Sequence, residues 1–257
     1  SAVALVAGWP AVAARARWPV VLVSSAACSF GWSVVLAVSS GTDALAAPLT
    51  TRFEYLPFAR HVDSPLALLR SFVEQLPSAP THVKGHPPGP VLAFLGLDRL
   101  GLGDGAVAVV VLVVAASAAP AALIALDRVA GRRPARRAAV FVGLAPAAVW
   151  TATSTDALFL GVAAWAVALG AVAVTAGGRR HAAVVAGAGA GLLAGVLATL
   201  TYGAPTLLGP LWALAVWGVV RRVRAPLVAA AAGAAVPIVA LGVAGFDCLG
   251  VLPPTPA

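Results

Sequence analysis

The residues best suited to chemistry lie in a polar segment, residues 41–105, of a chain that is otherwise strongly apolar. The polar segment contains six of the nine acidic residues and three of the four histidines. Carboxylates and imidazoles are the side chains that most often transfer protons in catalysis. Because the rest of the chain has few reactive side chains, we expect any chemistry to be concentrated in the polar segment.

One stretch of the polar segment, residues 81–90, is especially rich in turn residues. Its prolines restrict the backbone and its glycines allow sharp turns, so we predict a stiff loop that presents His82, Lys84 and His86. Lysine and histidine side chains can both bind a phosphate group. A rigid loop cap with exposed basic side chains is the alternative. The spacing of the two histidines is too weak a pattern to predict a metal site.

Glu54 is the second candidate, because it lies between Phe53 and Tyr55. Aromatic neighbours reduce the solvation of a carboxylate and suit it to accept a proton as a general base. Arg52 would either pair with Glu54 or bind an anion. The alternative for a lone glutamate of this kind is an ordinary surface carboxylate.

Asp156 is a third candidate, at the start of an apolar segment and after the polar run Thr153-Ser154-Thr155. An aspartate at a helix start serves first as a cap or as a partner of the helix dipole. If this helix start lies on the same side as the polar segment, Asp156 can also reach a cavity beneath it and orient a hydroxyl group.

The elements that must position these residues are apolar helices. The chain is 61% hydrophobic and 10% charged, whereas soluble domains have about 25% charged residues. Apolar runs of about 20 residues recur, and they are continuous rather than alternating. We therefore predict an all-α polytopic membrane bundle and not a β-barrel. It would be a single domain over 1–257, with a first span at 18–41, an extracytoplasmic loop at 42–104 and the remaining spans at 105–245.

Seven apolar segments predict about seven spans. They lie at 19–40, 105–126, 138–150, 156–176, 182–202, 205–220 and 226–245. In the fifth, Gly187, Gly191 and Gly195 are spaced to allow close packing with another helix. In the polar segment, Ser64-Pro65 predicts the start of an amphipathic helix, lying on the membrane or packed on the bundle. Residues 91–102 predict a second short surface helix.

The basic residues predict the orientation. Twelve of the 17 lie in the N-terminal stretch and in alternate connections, so they share one side if every segment crosses. The positive-inside rule makes that side cytoplasmic, together with the N-terminus. The net charge of +8 then reflects topology in a cell membrane, and we predict no nucleic-acid partner. The sequence does not indicate an oligomeric state.

The cysteines and several absent motifs exclude some functional classes of protein. Cys28 and Cys248 define neither a disulfide framework nor a metal site. The sequence has no P-loop, GxSxG, HExxH or paired CxxC motif, which argues against an ATP-driven pump, a serine hydrolase and a zinc protease. It contains no methionine, so we expect a fragment or a trimmed chain. Ionisable residues are nearly absent inside the apolar segments, which disfavours a small-molecule transporter.

The chain resembles the polytopic GT-C-type glycosyltransferases, and among them actinobacterial integral membrane proteins related to the protein mannosyltransferase and aminoarabinose transferase families. The resemblance covers about residues 19–176 and rests on four features. These are Glu54 beside Tyr55, His86-Pro87-Pro88-Gly89-Pro90, the arginine-rich turn at 131–137, and a short span ending in 144–150 before Thr155-Asp156-Ala157-Leu158.

The resemblance implies transfer of a sugar from a polyprenyl-phosphate donor to an extracytoplasmic acceptor. It implies Glu54 as the catalytic base, and Lys84 and His86 as contacts of the donor phosphate. From the residues themselves we add Asp156 as a catalytic candidate, and Arg52, Tyr55 and His82 as substrate contacts. No cofactor is implied, although loop carboxylates holding Mg²⁺ or Mn²⁺ remain an alternative. A catalytically inactive or truncated relative, or a transporter, are the alternative functions.

Overall fold

The computed structural model describes residues 2–39, 41–151 and 154–246. All regular secondary structure in these ranges is helical, and they contain no strand. The predicted all-α class is therefore confirmed. Cys248 and Thr153, both considered in the sequence analysis, lie outside the described residues.

The N-terminal half of the chain contains two helices before the polar segment and a series of short helices within it. The first two helices are α1 (Ala2–Arg15) and α2 (Trp18–Val38). The polar segment contains three single 3₁₀ turns, Thr42–Leu45, Ala47–Thr50 and Leu76–Ser78. Its α-helices are α3 (Tyr55–Ala59), α4 (Pro65–Gln75), α5 (Thr81–Lys84) and α6 (Gly89–Arg99).

The remaining helices form the rest of the bundle. They are α7 (Asp104–Ala116), α8 (Ala118–Ala130), α9 (Arg132–Gly143), α10 (Ala148–Thr151), α11 (Asp156–Thr175), α12 (Arg180–Leu200), α13 (Ala204–Leu207), α14 (Gly209–Val220) and α15 (Arg224–Val243). Only Ser117 separates α7 from α8, so the two helices form one stretch, Asp104–Ala130.

Five helical stretches in the described residues are long and apolar enough to cross a membrane: α2, α7 with α8, α11, α12 and α15. The predicted segments 138–150 and 205–220 are not among them. The first forms α9 and α10, which are separated around Pro146, because a proline disfavours helix in the residue before it. The second is interrupted at Leu208, so that α14 has 12 residues and a length of about 18 Å.

The helix α1 was not predicted from the sequence. It packs against α2 and α9, and the indole Nε1 of Trp9 donates to the carbonyl oxygen of Ala139 at 3.0 Å. A Cβ atom at Gly143 would overlap this indole. The α1 helix therefore depends on a close approach to α9, which is distant in sequence.

The glycines of α12 permit close packing with α15, as predicted. Cβ atoms at Gly187, Gly191 and Gly195 would overlap the carbonyl oxygens of Pro226, Ala230 and Ala234, respectively. These partners repeat every four residues, so one face of α15 lies along the glycine face of α12.

The bundle has two chemically different ends. At the arginine end, a cavity is lined by residues of α8, α11, α12 and α14, including Arg128 and Arg221. Arg136 of α9 joins this end by donating to the carbonyl oxygens of Ala13 and Ala16 at 3.0 and 2.7 Å. At the opposite end, the Glu54 end, the helices of the polar segment pack over the bundle.

The polar segment is tied to the bundle by its own apolar core. The start of α4 matches the prediction: Ser64 Oγ accepts from the Ala67 amide at 3.3 Å, and Leu68, Leu69 and Phe72 are buried. The Phe72 ring meets the Phe246 ring edge-on, with centroids 5.8 Å apart. The apolar stripe of α4 therefore packs on the protein.

Candidate functional site

The centre of the site is the carboxylate of Glu54, which is only 6% exposed. Glu54 is the N-terminal cap position of α3, where an extended backbone turns the chain into the helix. Its Oε1 lies 2.9 Å from His82 Nδ1, and its Oε2 accepts from the hydroxyl of Thr155 at 3.2 Å. Burial of a carboxylate is costly unless it is bonded, and here both oxygens have partners.

His82 connects this buried carboxylate to the surface. Its side chain is 48% exposed, and its backbone amide donates to the Phe53 carbonyl oxygen at 3.3 Å. This backbone bond holds α5 next to the residue that precedes Glu54. With Nδ1–H donating to Glu54, a neutral His82 ring keeps Nε2 as a proton acceptor. The pair therefore has the arrangement of a general base oriented by a buried acid.

The ring of Tyr55 packs beneath the side chains of His82 and His86. It is 1% exposed, stacks on Phe94 with centroids 6.1 Å apart, and lies 6.0 Å from His82 and 5.7 Å from His86. Burial, followed by the negative charges of Asp156 and Glu54, raises the pKa of Tyr55 above its usual range. The raised pKa favours the neutral phenol, and at this burial the Tyr55 ring lies behind the two histidines rather than at the surface.

His86 is half-buried between Tyr55 and Phe159, whose centroid is 5.5 Å from that of His86. Its Nδ1 donates to the His82 carbonyl oxygen at 3.0 Å. The following Pro87, Pro88 and Gly89 are buried, and a Cβ atom at Gly89 would overlap the Thr199 carbonyl oxygen of α12. The predicted stiff element is present, but it begins with the one-turn helix α5 rather than with a loop.

The two remaining predicted cationic contacts lie on the surface. Lys84 is exposed at the end of α5. Arg52 is also exposed, and its guanidinium lies 4.8 Å from the centroid of the Phe53 ring. Within the described ranges, the ionic partner of Glu54 is His82 and not Arg52. Of the two roles predicted for Arg52, pairing with Glu54 is therefore not the one observed.

Asp156 lies near the site without touching Glu54. It is the exposed first residue of α11, and its backbone amide donates to Ser154 Oγ at 3.0 Å. Asp156 lines a cavity of about 280 Å³ together with Trp150, Thr151 and Ser154. At the first turn it complements the positive end of the helix dipole, as expected for an aspartate there.

Thr155 is the functional residue that sequence reasoning missed. It is 2% exposed, and its hydroxyl joins α11 to a carboxylate 101 positions earlier in the chain. The only sequence signal was its place in the polar run before a helix, which predicts a cap rather than a partner for Glu54.

A second missed contact fixes the polar segment as a whole. Arg60 donates to Asp98 at 3.0 Å and also to Asp104, the first residue of α7. These groups are partly exposed, so each ion pair contributes little to stability. The shared guanidinium nevertheless joins α3, α6 and α7 at one point.

No group of three or more histidine, cysteine, aspartate or glutamate residues suited to a metal ion occurs within the described ranges. Three of the loop carboxylates considered for Mg²⁺ or Mn²⁺ have protein partners instead: Glu54 contacts His82 and Thr155, and Asp98 and Asp104 contact Arg60.

No protein-family model matches the sequence, and neither the curated proteins nor the solved structures include a match to it. The class of protein therefore follows from the fold alone. The chain is all-helical in its described ranges, with five helices long and apolar enough to span a membrane, and this is consistent with a multi-pass protein in a lipid bilayer.

Proposed function

We propose that this chain is a membrane glycosyltransferase that transfers a sugar from a polyprenyl-phosphate donor to an acceptor hydroxyl. The observation that carries the proposal is the buried Glu54 carboxylate, held by Thr155 and by a half-exposed His82. A desolvated acid that orients an accessible imidazole favours proton transfer at the edge of a bilayer.

The orientation that goes with this proposal has about seven crossings of the cell membrane. The five long stretches cross fully, and α9–α10 and α13–α14 make the two shorter passages between the ends. Arginines gather at one end of the bundle, which supports a cytoplasmic assignment for that end and for the connection between α1 and α2. Helix α1 runs back along α2, with Leu5 beside Gly31, so the first residues of α1 lie toward the other end of α2. The polar segment and the site would then face the extracytoplasmic side.

In the proposed reaction, the acceptor hydroxyl oxygen bonds to the anomeric carbon of the donor sugar. The bond from that carbon to the phosphate oxygen breaks, and polyprenyl phosphate leaves with the electron pair. The hydroxyl proton passes to Nε2 of His82, and Glu54 stabilises the resulting imidazolium at Nδ1. Because both Glu54 oxygens already accept hydrogen bonds, the geometry favours His82 as the group that takes the proton.

The leaving phosphate would be bound by the cationic groups at the surface of α5. Lys84 is exposed two residues after His82, at the end of α5, and His86 keeps one ring nitrogen beyond its bond to the His82 carbonyl. A compact ammonium suits the charge that develops on a leaving phosphate, and His86 would donate to that phosphate from Nε2 as an imidazolium, because its Nδ1–H already bonds a carbonyl oxygen. Arg52 is the third exposed cation in this part of the polar segment.

Photo-crosslinking with a benzophenone polyprenyl-phosphate analogue tests the proposal, together with a transfer assay that uses a radiolabelled donor sugar. We expect saturable labelling of the purified protein, and loss of labelling in the double variant Lys84→Ala/His86→Ala. Glu54→Gln should keep the labelling and lose transfer, because it retains the fold of the phosphate site but not the charge behind His82.

His61→Ala is the matched control, since His61 Nδ1 also bonds the carbonyl oxygen four residues earlier, at 2.8 Å. It lies in the polar segment but outside the proposed site, so labelling and transfer should remain. Absence of saturable labelling in the unaltered protein, or equal loss in His61→Ala, would contradict the proposal.

A further inference from the structure

The arginine end contains a cavity that the proposed reaction does not use. Its volume is about 480 Å³, and it lies between the ends of α8, α11 and α14 and the start of α12. Arg128 and Arg221 border it, while Val129, Val174 and Trp217 supply apolar walls. The cavity therefore combines two exposed positive charges with partly apolar walls.

Both arginines are available to a ligand. Arg128 and Arg221 are exposed, and neither has a carboxylate within ion-pair distance among residues 2–39, 41–151 and 154–246. Asp127, which directly precedes Arg128 in the sequence, instead accepts a bidentate pair of hydrogen bonds from Arg132, at 2.8 and 2.9 Å. The Arg221 guanidinium lies 5.4 Å from the centroid of Trp217, which holds it beside the cavity.

A second, apolar cavity of about 500 Å³ adjoins the first, and Val129 and Trp217 line both cavities. On α8 it is bordered by Ala122, Ala125, Leu126 and Val129, and on α14 by residues at the same spacing, 210, 213, 214 and 217. Positions at this spacing lie on one helix face, so the cavity is a groove about 10 Å long between α8 and α14.

We propose that this composite site binds an anionic phospholipid, with its phosphate between Arg128 and Arg221 and one acyl chain in the α8–α14 groove. A basic mouth continuous with an apolar groove matches the amphiphilic shape of such a lipid. A soluble phosphate would satisfy the arginines but leave the groove unused. The lipid site shares no residue with the Glu54 site, so this proposal does not depend on the proposed transferase reaction.

Native mass spectrometry of the purified protein in detergent tests this proposal, with phosphatidylglycerol and phosphatidylcholine of identical acyl chains as probes. We expect tighter binding of phosphatidylglycerol. The double variant Arg128→Gln/Arg221→Gln should weaken phosphatidylglycerol binding roughly 30-fold and phosphatidylcholine binding by less, because the choline ammonium already compensates the phosphate, so the preference should be lost. Arg133→Gln/Arg137→Gln removes the same charge from α9, outside the cavity, and should keep the preference.

Ala213→Trp tests the groove without changing charge. The indole would fill the space between α8 and α14, so binding of both lipids should fall. Equal effects of the two arginine pairs would overturn the proposal, because they would indicate only general attraction to positive charge. Unchanged binding in Ala213→Trp, or displacement of phosphatidylglycerol by millimolar glycerol phosphate, would overturn it as well, the latter in favour of a soluble anion.

Discussion

At the Glu54 end, a buried carboxylate is bonded to His82 and Thr155, whereas at the arginine end Arg128 and Arg221 face an open cavity. The first arrangement fixes its charged groups in one geometry before any ligand arrives, which is what proton transfer requires. The second leaves its charges solvated, with an apolar groove beside them. The two ends therefore treat charged side chains differently. At the Glu54 end, residues distant in sequence bond the charged group, whereas at the arginine end Arg128 and Arg221 stay accessible to a ligand.

The arginine end is not uniform, however. Arg132 stacks on Trp18 at 4.2 Å and pairs with Asp127, while Arg136 bonds the last carbonyl oxygens of α1. These two arginines donate hydrogen bonds within the protein, whereas Arg128 and Arg221 have no carboxylate within ion-pair distance in the described ranges. The arginines at this end therefore fall into two groups, those that bond to the protein and those that border the cavity, and substitutions of single arginines distinguish them.

The largest effect should come from His82→Gln. If His82 accepts the proton of the acceptor hydroxyl, sugar transfer should fall by roughly 10²- to 10⁴-fold, measured with a labelled polyprenyl-phosphate sugar. Labelling by the donor analogue should persist, because the variant keeps a polar side chain at a half-exposed position. Arg133→Gln at the arginine end should transfer within about twofold of the unaltered protein. Equal activity in both variants would contradict the distinction between the ends.

Gly89→Ala should have the next largest effect. The new Cβ atom would overlap the Thr199 carbonyl oxygen, so the Pro-Pro element must move away from α12. We expect a loss of roughly 1–3 kcal/mol in the free energy of unfolding, read from denaturant unfolding in detergent micelles.

Gly178→Ala is the control for this change at the arginine end. A Cβ atom there meets nothing within 4 Å, and the backbone is not left-handed. Its effect should stay within about 0.5 kcal/mol. A neutral Gly89→Ala would indicate that the polar segment is not tightly docked on α12.

The protonation of Tyr55 gives a test of how well the Glu54 end excludes water. Tyr55 and Tyr202 are the only tyrosines, so in a Tyr202→Phe background the ultraviolet absorbance of ionised phenol reports Tyr55 alone. Its pKa is raised in the folded protein, so the folded phenol should stay neutral at a pH where an unfolded tyrosine, with a pKa of about 10, is largely ionised.

The raised pKa of Tyr55 also makes the free energy of unfolding depend on pH in the alkaline range. Below pH 10 both states are protonated, and the contribution of Tyr55 is fully present. Above pH 10 only the unfolded state ionises, so the folded state should lose about 1.4 kcal/mol per pH unit from this group. Tyr55→Phe, in the same background, should reduce the steepness of the alkaline decline. Ionisation of the folded protein near pH 10 would show that water reaches the phenol.

Arg136→Gln should have the smallest effect. The change removes charge-assisted bonds to the C-terminal carbonyl oxygens of α1, and we expect a loss of about 1 kcal/mol. Arg137→Gln, at an exposed neighbouring position, is the control and should be neutral in the same thermal unfolding measurement. Equal thermal stability of the Arg136→Gln and Arg137→Gln variants would show that the bonds from Arg136 to α1 do not stabilise the fold.

Local features of the sequence were sufficient for the helical class and for several helix starts. Ser64-Pro65 predicted the cap of α4 because capping depends on residues three positions apart. The glycines of α12 predicted close packing for a similarly local reason, although they did not name α15 as the partner. The break near Pro146 also has a local cause, the proline itself, and the apolar segment 138–150 is short for a span; the interruption at Leu208 was not predicted.

The sequence by itself therefore determined an all-helical, strongly apolar chain with its polar chemistry gathered in residues 41–105. It also singled out Glu54 and His82 as separate candidates. Only the tertiary structure joined them, added Thr155 from 101 positions away, and separated Arg128 and Arg221 from the arginines that are bonded. Hydropathy and capping are local properties of the chain. A bond between side chains on three segments depends on how those segments pack.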